Sequence, residues 1–205
     1  MKASPDVIGF ILAGGTSRRM GGSPKGLLPI KGEPMLAHVI RRFERQVDAL
    51  YLNSNLPLDA FADFDMEVVA DLVGASDGPL AGLITALRTT GTHHPDVSWV
   101  ATIPWDCPFL PLDLVERLAA HVEPGGGAFA KSGSQRHPLA ALWSVDLLPQ
   151  LEAAFAEGMR SATAWAEDIG VKEVAFPAEP ADPFFNVNSR EDLAEAERRI
   201  RSGEE

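Results

Sequence analysis

The sequence predicts an α/β fold: a three-layer, mostly parallel twisted sheet with a small hairpin lobe. Short apolar runs bounded by turn residues alternate with stretches whose apolar residues recur at helical spacing, the mark of strands joined by crossover helices. The first run, Val7 to Leu12, leads straight into a glycine- and arginine-rich connection, which is where α/β sheets bind ligands. Of the 205 residues, 45% are hydrophobic, enough for one continuous core, so a single domain over 1–205 is expected.

The elements follow in order. Val7–Leu12 is an unbroken apolar run, hence a buried strand. Leu36, Val39, Ile40, Phe43 and Val47 repeat every three or four residues and predict a helix. Ala49–Asn53 and Glu67–Ala70 read as strands. Leu80, Leu83, Ile84 and Leu87 mark a helix that opens at Pro79, a good first helical residue. Trp99–Ile103 is a strand stopped by Pro104, and Leu114, Val115, Leu118 and Val122 line the next helix. After the turn at 125–127, Ala128–Ala130 and Leu139–Trp143 flank a polar hairpin, the source of the expected lobe. Leu147–Ala156 and Ala162–Ile169 predict helices, Val171–Phe176 a strand, and Arg190–Arg201 a charged, mostly exposed helix.

Charge narrows the functional classes. Eighteen Lys and Arg against 29 Asp and Glu leave −11, which argues against nonspecific binding to nucleic acid or an anionic membrane. A polyanionic nucleotide would need a local basic cluster or a metal ion. The single Cys107 excludes an intrachain disulfide and fits a reducing compartment. The N-terminal apolar run is too short to span a bilayer, and Asp6 before it is unlike a signal peptide. The expected location is the cytoplasm.

The connection Leu12-Ala13-Gly14-Gly15-Thr16-Ser17-Arg18-Arg19-Met20-Gly21-Gly22-Ser23-Pro24-Lys25-Gly26 suits a triphosphate. Its glycines let backbone N–H groups turn toward an anion, and Arg18, Arg19 and Lys25 supply charge for phosphate oxygens. It is not a Walker A loop, because Gly26 rather than Ser or Thr follows Lys25, and it lacks the dinucleotide glycine spacing. Asp106 follows a strand and is bracketed by Pro104 and Pro108, so a fixed carboxylate there suits Mg²⁺. Asp71 also ends a strand, where it reads either as a base or metal contact or as a turn-forming Asp. Asn53 has an amide able to donate and accept toward a base edge. Cys107 has no activating base in sequence and reads as a packing residue. Asn186 and Asn188 flank Val187 on one face of an extended segment, with Asn188 and Ser189 rival caps for the last helix.

The pattern L-A-G-G-x-x-R-R-M-G-G-x-x-K-G-L-L resembles the signature of the molybdenum cofactor guanylyltransferases. Asp71 with Gly78-Pro79-Leu80-Ala81-Gly82, the stretch Pro104 to Pro111, Arg136-His137-Pro138 and Phe185-Asn186-Val187-Asn188 resemble the same family in the same order, over nearly the whole chain. The resemblance implies the Rossmann-like nucleotidyltransferase fold and transfer of GMP from Mg-GTP to the terminal phosphate of molybdenum-molybdopterin. It further implies Lys25, Arg19 and Asp106 as catalytic residues. Leu12, Ala13, Gly14, Gly15, Asn53 and Asp71 would join Lys25 and Asp106 in binding the nucleotide, with Asp106 the Mg²⁺ ligand. His137, Asn186 and Asn188 would face the acceptor, at the far end of the crevice from the glycine loop. The implied partners are the upstream molybdenum-insertion protein and apo-molybdoenzymes or their chaperones. The chain departs from the family at Trp105, where a smaller residue is usual, and at Ser161-Ala162, where another basic residue is expected. A cytidylyltransferase or other small-phosphate nucleotidyltransferase on the same fold is the near alternative. A noncatalytic nucleotide-binding adaptor is the distant one.

Overall fold

A computed structural model describes residues 6–14, 24–72 and 78–203. Gly15, Arg18, Arg19 and Asp77, the last a candidate N-terminal cap by sequence for the helix at Pro79, lie outside the described residues. Seven strands form one sheet: β1 (Val7–Leu12), β4 (Ala49–Asn53), β5 (Glu67–Val69), β6 (Trp99–Pro104), β7 (Gly127–Ser132), β8 (Gln135–Ser144) and β9 (Lys172–Phe176). Their order is β5-β4-β1-β6-β8-β7-β9, and β2 (Pro29–Ile30) with β3 (Glu33–Pro34) makes a separate two-stranded ribbon. Strands β5, β4, β1 and β6 pair in parallel, β8 is antiparallel to both β6 and β7, and β9 is parallel to β7. So β8 alone runs against the rest.

All six residues of β1 are buried because helices cover both faces of the sheet. Alternation along the strand sends Ile11 to one face and Phe10 to the other. Ile11 shares its core with Leu36, Val39 and Phe43 of α1 (Met35–Phe43) and Leu114 and Leu118 of α3 (Leu114–Ala119). Phe10 shares the opposite core with Leu83 and Leu87 of α2 (Pro79–His93), Leu151 of α4 (Leu148–Ala156) and Trp165 of α5 (Ala162–Asp168).

Two elements differ from their sequence reading. Helix α2 outruns its apolar stripe by six residues, because the buried Thr89 and Thr90 carry it on without hydrophobic periodicity. The 128–143 hairpin does not stand apart. Ala128, Ala130, Ala141 and Leu142 are all buried, so β7 and β8 are sheet strands with two apolar faces. Only the part of β8 before Ala140 overhangs: Ala141 pairs with Phe129, yet His137 pairs with the next residue, Ala130, so the strand bulges there. The last helix, α6 (Arg190–Ser202), is capped by Ser189, whose hydroxyl accepts from Asp192 N–H, while the Asp192 carboxylate accepts from Ser189 N–H. Ser189 thus wins over Asn188. Among the described residues no helix is long and apolar enough to cross a membrane.

Candidate active site

The carboxyl ends of β1, β4 and β6, the start of α2 and the overhanging tip of β8 enclose a cleft of about 980 Å³. Leu12, Ala13, Gly14, Asn53, Asp71, Asp106, His137 and Asn186 all line it. Eight residues singled out from separate parts of the sequence therefore meet in one space.

At one pole, Lys25 sits in a 3₁₀ turn (Lys25–Leu27) and reaches across to two distant segments. Its Nζ lies 3.2 Å from Asp106 Oδ2 and also donates to Asn188 Oδ1. The Asn186–Asn188 segment is docked there because Val187 N–H donates to the Asp106 carbonyl at 3.0 Å. Asn188, expected at the far end of the crevice, stands against Lys25 instead. Asp106 is 7% exposed, and burial pushes its carboxyl above the ordinary range, while Lys25 and, less strongly, Asn186 pull it back. Its second oxygen, Oδ1, is buried with no partner among the described residues, and so is Asn186 Oδ1. Buried acceptors without donors are costly, and a cation satisfies them. No group of three His, Cys, Asp or Glu that could hold a metal occurs among the described residues.

Trp105 explains how the turn is held. Its indole is 1% exposed and lies flat under Gly26: a Cβ added there would come within 2.4 Å of Trp105 Cε3. Neither the large residue at 105 nor the glycine at 26 is arbitrary, because each fits the other. Gly26→Ala is expected to cost ~1–3 kcal/mol by overpacking and to lower kcat by displacing the Lys25 ammonium. Thermal melts alongside steady-state kinetics check both effects.

The other pole is a network of amides. Asn53 Nδ2 donates to Asp71 Oδ1 at 2.9 Å and to the Val69 carbonyl at 3.1 Å. Helix α2 starts against this side chain: a Cβ on Gly82 would lie 2.6 Å from Asn53 Oδ1. Sequence reasoning missed Asn55, which bonds Asp71 twice. The signal available was the N-x-N pattern at the end of a strand, facing a second strand-end carboxylate.

His137 lines the cleft from the overhang of β8. It stacks on Phe184 at 4.6 Å between ring centroids, and its Nε2 lies 2.7 Å from Ser132 Oγ. Burial lowers its basicity, and Asp182 partly opposes that. Neighbouring Arg136 pairs with Glu167 and Glu173, and Arg160, also on the cleft wall, stacks over Phe155 and donates to the Phe155 and Met159 carbonyls. Cys107 is buried, donates weakly to the Phe184 carbonyl and has its thiol pushed well up by burial, as suits a packing residue.

Comparison with known proteins bears on this arrangement. Residues 9–170 match the model of the MobA-like NTP transferase domain. A molybdenum cofactor guanylyltransferase from Nitrobacter hamburgensis is 45% identical over 197 residues, 95% of this chain and 94% of its own. One from a Bradyrhizobium strain is 44% identical over 94% of this chain and 92% of its own. Among solved structures, molybdopterin-guanine dinucleotide biosynthesis protein A from Archaeoglobus fulgidus superposes with a TM-score of 0.75 at 22% identity, over 96% of this chain and 99% of that one, which shows the shared fold.

Proposed function

The chain belongs to the molybdenum cofactor guanylyltransferases, within the MobA-like NTP transferase family, and from that premise we infer that it transfers GMP from GTP to the terminal phosphate of molybdenum-molybdopterin. The observation that carries the reading is the bridge from Lys25 to Asp106 and Asn188, at one end of a cleft whose other end holds the Asn53–Asp71 pair. One end has a lysine and a carboxylate suited to a metal-bound phosphate, and the other has hydrogen-bonding groups for a base.

The acceptor phosphate oxygen attacks the α-phosphorus, the bond from that phosphorus to the β-phosphate oxygen breaks, and pyrophosphate leaves. The nucleophile is already an anion, so no general base is needed, and positioning and charge neutralisation do the work. Lys25 is held where its ammonium can stabilise the charge that builds on the departing phosphates. Arg19 is assigned to the phosphates, and Leu12, Ala13, Gly14 and Gly15 to the nucleoside. The oxygens of Asp106 and Asn186 that have no partner among the described residues fit Mg²⁺, which prefers one or two protein oxygens alongside waters and substrate phosphates. When bound, the ion would neutralise phosphate charge. His137 is assigned to the acceptor, and Asn186 and Asn188, which stand at the Lys25 pole, to its attacking phosphate. The chain works as one domain in the cytoplasm. It receives its acceptor from the upstream molybdenum-insertion protein and passes its product to apo-molybdoenzymes or their chaperones.

Asp71 accounts for base choice. A carboxylate accepts two hydrogen bonds side by side, matching the N1–H and 2-amino donors of guanine. Cytosine and adenine each place an acceptor beside their amino group, which would face the carboxylate unpaired at a cost of ~1–3 kcal/mol. GTP is expected to bind about tenfold or more tightly than CTP or ATP; equal affinities in titration calorimetry would exclude this reading. The activity itself is tested by release of pyrophosphate that requires both GTP and acceptor, with the dinucleotide identified as product.

A further inference from the structure

Asn55 is outside every role assigned so far, yet it uses both ends of its amide on one partner. Its Nδ2 donates to Asp71 Oδ2 at 2.6 Å, and its Oδ1 accepts from Asp71 N–H at 2.9 Å. Asn53 holds the other carboxylate oxygen at 2.9 Å. The next residue is anchored too: Leu72 N–H donates to Thr85 Oγ1 at 3.0 Å, and that buried hydroxyl donates onward to the Ala81 carbonyl of α2. Asp71 is therefore fixed through each oxygen and through the backbone on both sides of its Cα.

The two oxygens are not secured alike. Asn53 is 6% exposed and fixed by strand pairing and the Val69 carbonyl, whereas Asn55 is exposed, and both it and Asp71 line the cleft. A carboxylate held at one oxygen can still swing about that bond, and a second donor on the second oxygen stops the swing. Each oxygen keeps a lone pair free of these bonds, and with both amides in place the two free positions lie in one fixed plane.

We propose that Asn55 is a positioning residue for base selectivity, holding Asp71 so that both carboxylate oxygens meet the paired N–H donors of guanine; this rests on the assignment of Asp71 to the base. The chemistry demands an asparagine. Aspartate would keep the acceptor for the Asp71 N–H but turn a negative oxygen toward Oδ2, and alanine would supply neither bond. An exposed amide is worth little while water competes for it, but a purine seated in the cleft excludes that water and raises the value of the contact.

The test compares GTP with ITP, which lacks the 2-amino group and so makes one of the two contacts. Binding of each to the full-length protein is measured by calorimetry, with melting curves as a check on folding. The wild type is expected to prefer GTP. Asn55→Ala should weaken GTP about tenfold, the scale of one hydrogen bond to a charged group, weaken ITP less, and so shrink the preference. Asn55→Asp preserves the backbone contact and should shrink it further through like-charge repulsion. An unchanged GTP-to-ITP ratio in both variants overturns the proposal, as does Asn55→Asp behaving like the wild type, since backbone anchoring alone would then suffice. Asp71→Asn separates the levels. If it erases the preference while the Asn55 variants do not, only the positioning role fails. If it leaves the preference intact, Asp71 does not read the base and both ideas fall.

Discussion

Replacing Asp106 by asparagine should reduce turnover by about 10³-fold, roughly 4 kcal/mol of barrier, without loosening the fold. The two side chains are nearly isosteric, so the packing between Pro104 and Pro108 survives. What disappears is the one negative charge proposed to hold the metal ion. Asn188 still accepts from Lys25, so the cation is not stranded. Stability should move the other way. Burial raises the folded-state pKa of Asp106 above its unfolded value. The group therefore favours folding below the ordinary carboxylate range, and that benefit is lost as pH rises through its own raised pKa. At neutral pH the ionised carboxylate is a net cost, and Asp106→Asn removes it. The metal-free variant should thus melt at or above the wild-type temperature at pH 7, with the gain fading in acid. A well-folded variant with near-normal Mg²⁺-dependent turnover would rule out the assigned role, and a large drop in melting temperature at pH 7 would show that the carboxylate is structural.

Lys25→Ala should lower kcat by ~10²–10³, as removal of one preorganised partner of a developing charge does, with a smaller loss of GTP affinity. Its ammonium does not wave in solvent: the side chain is 15% exposed and is held by two acceptors. A group so enclosed is poorly screened, so the defect should persist at high ionic strength. A loss confined to kcat/KM that salt abolishes would make Lys25 a steering charge instead. Lys25→Arg should rescue in part, because a planar fork cannot sit as a compact point charge between Asp106 and Asn188. Removing the lysine also leaves Asp106 buried without its cation, so Lys25→Ala should destabilise the protein while the double variant with Asp106→Asn recovers some of that loss, a coupling typical of residues in contact.

The sequence was a good guide wherever a property was local. Ala49–Asn53 and the strand read at Glu67–Ala70, observed as Glu67–Val69, were legible because an apolar run with polar ends has few alternatives to a buried strand. Strand-end positions then brought Leu12, Asn53, Asp71 and Asp106 to one edge of one sheet, so half the site followed from topology alone. Pairings across the fold were not legible. Asn186 and Asn188 were recognised as sharing a face, but which wall of the cleft they met depended on long-range contacts, the Val187 N–H to the Asp106 carbonyl and Lys25 to Asn188. Trp105 read only as a departure from the family pattern, and it forms the floor of the lysine turn, because its complement is an absent side chain at Gly26, which no periodicity announces. The extension of α2 was hidden for a related reason: threonines can be buried in a helix without contributing to its apolar pattern.

The bridge from Lys25 to Asn188 joins positions 163 residues apart. A ribosome has long since released the glycine loop when it reaches the asparagine that completes the lysine's environment. Closing so long a loop by itself would be entropically unfavourable, on the order of 4–5 kcal/mol from (3/2)RT ln n before constants, so the sheet must shorten the distance first. Competence for transfer then waits on residues made late in the chain. In refolding, the tryptophans buried at 105, 143 and 165 should report a formed core before pyrophosphate release appears, and a nascent chain halted short of Asn188 should be compact yet silent.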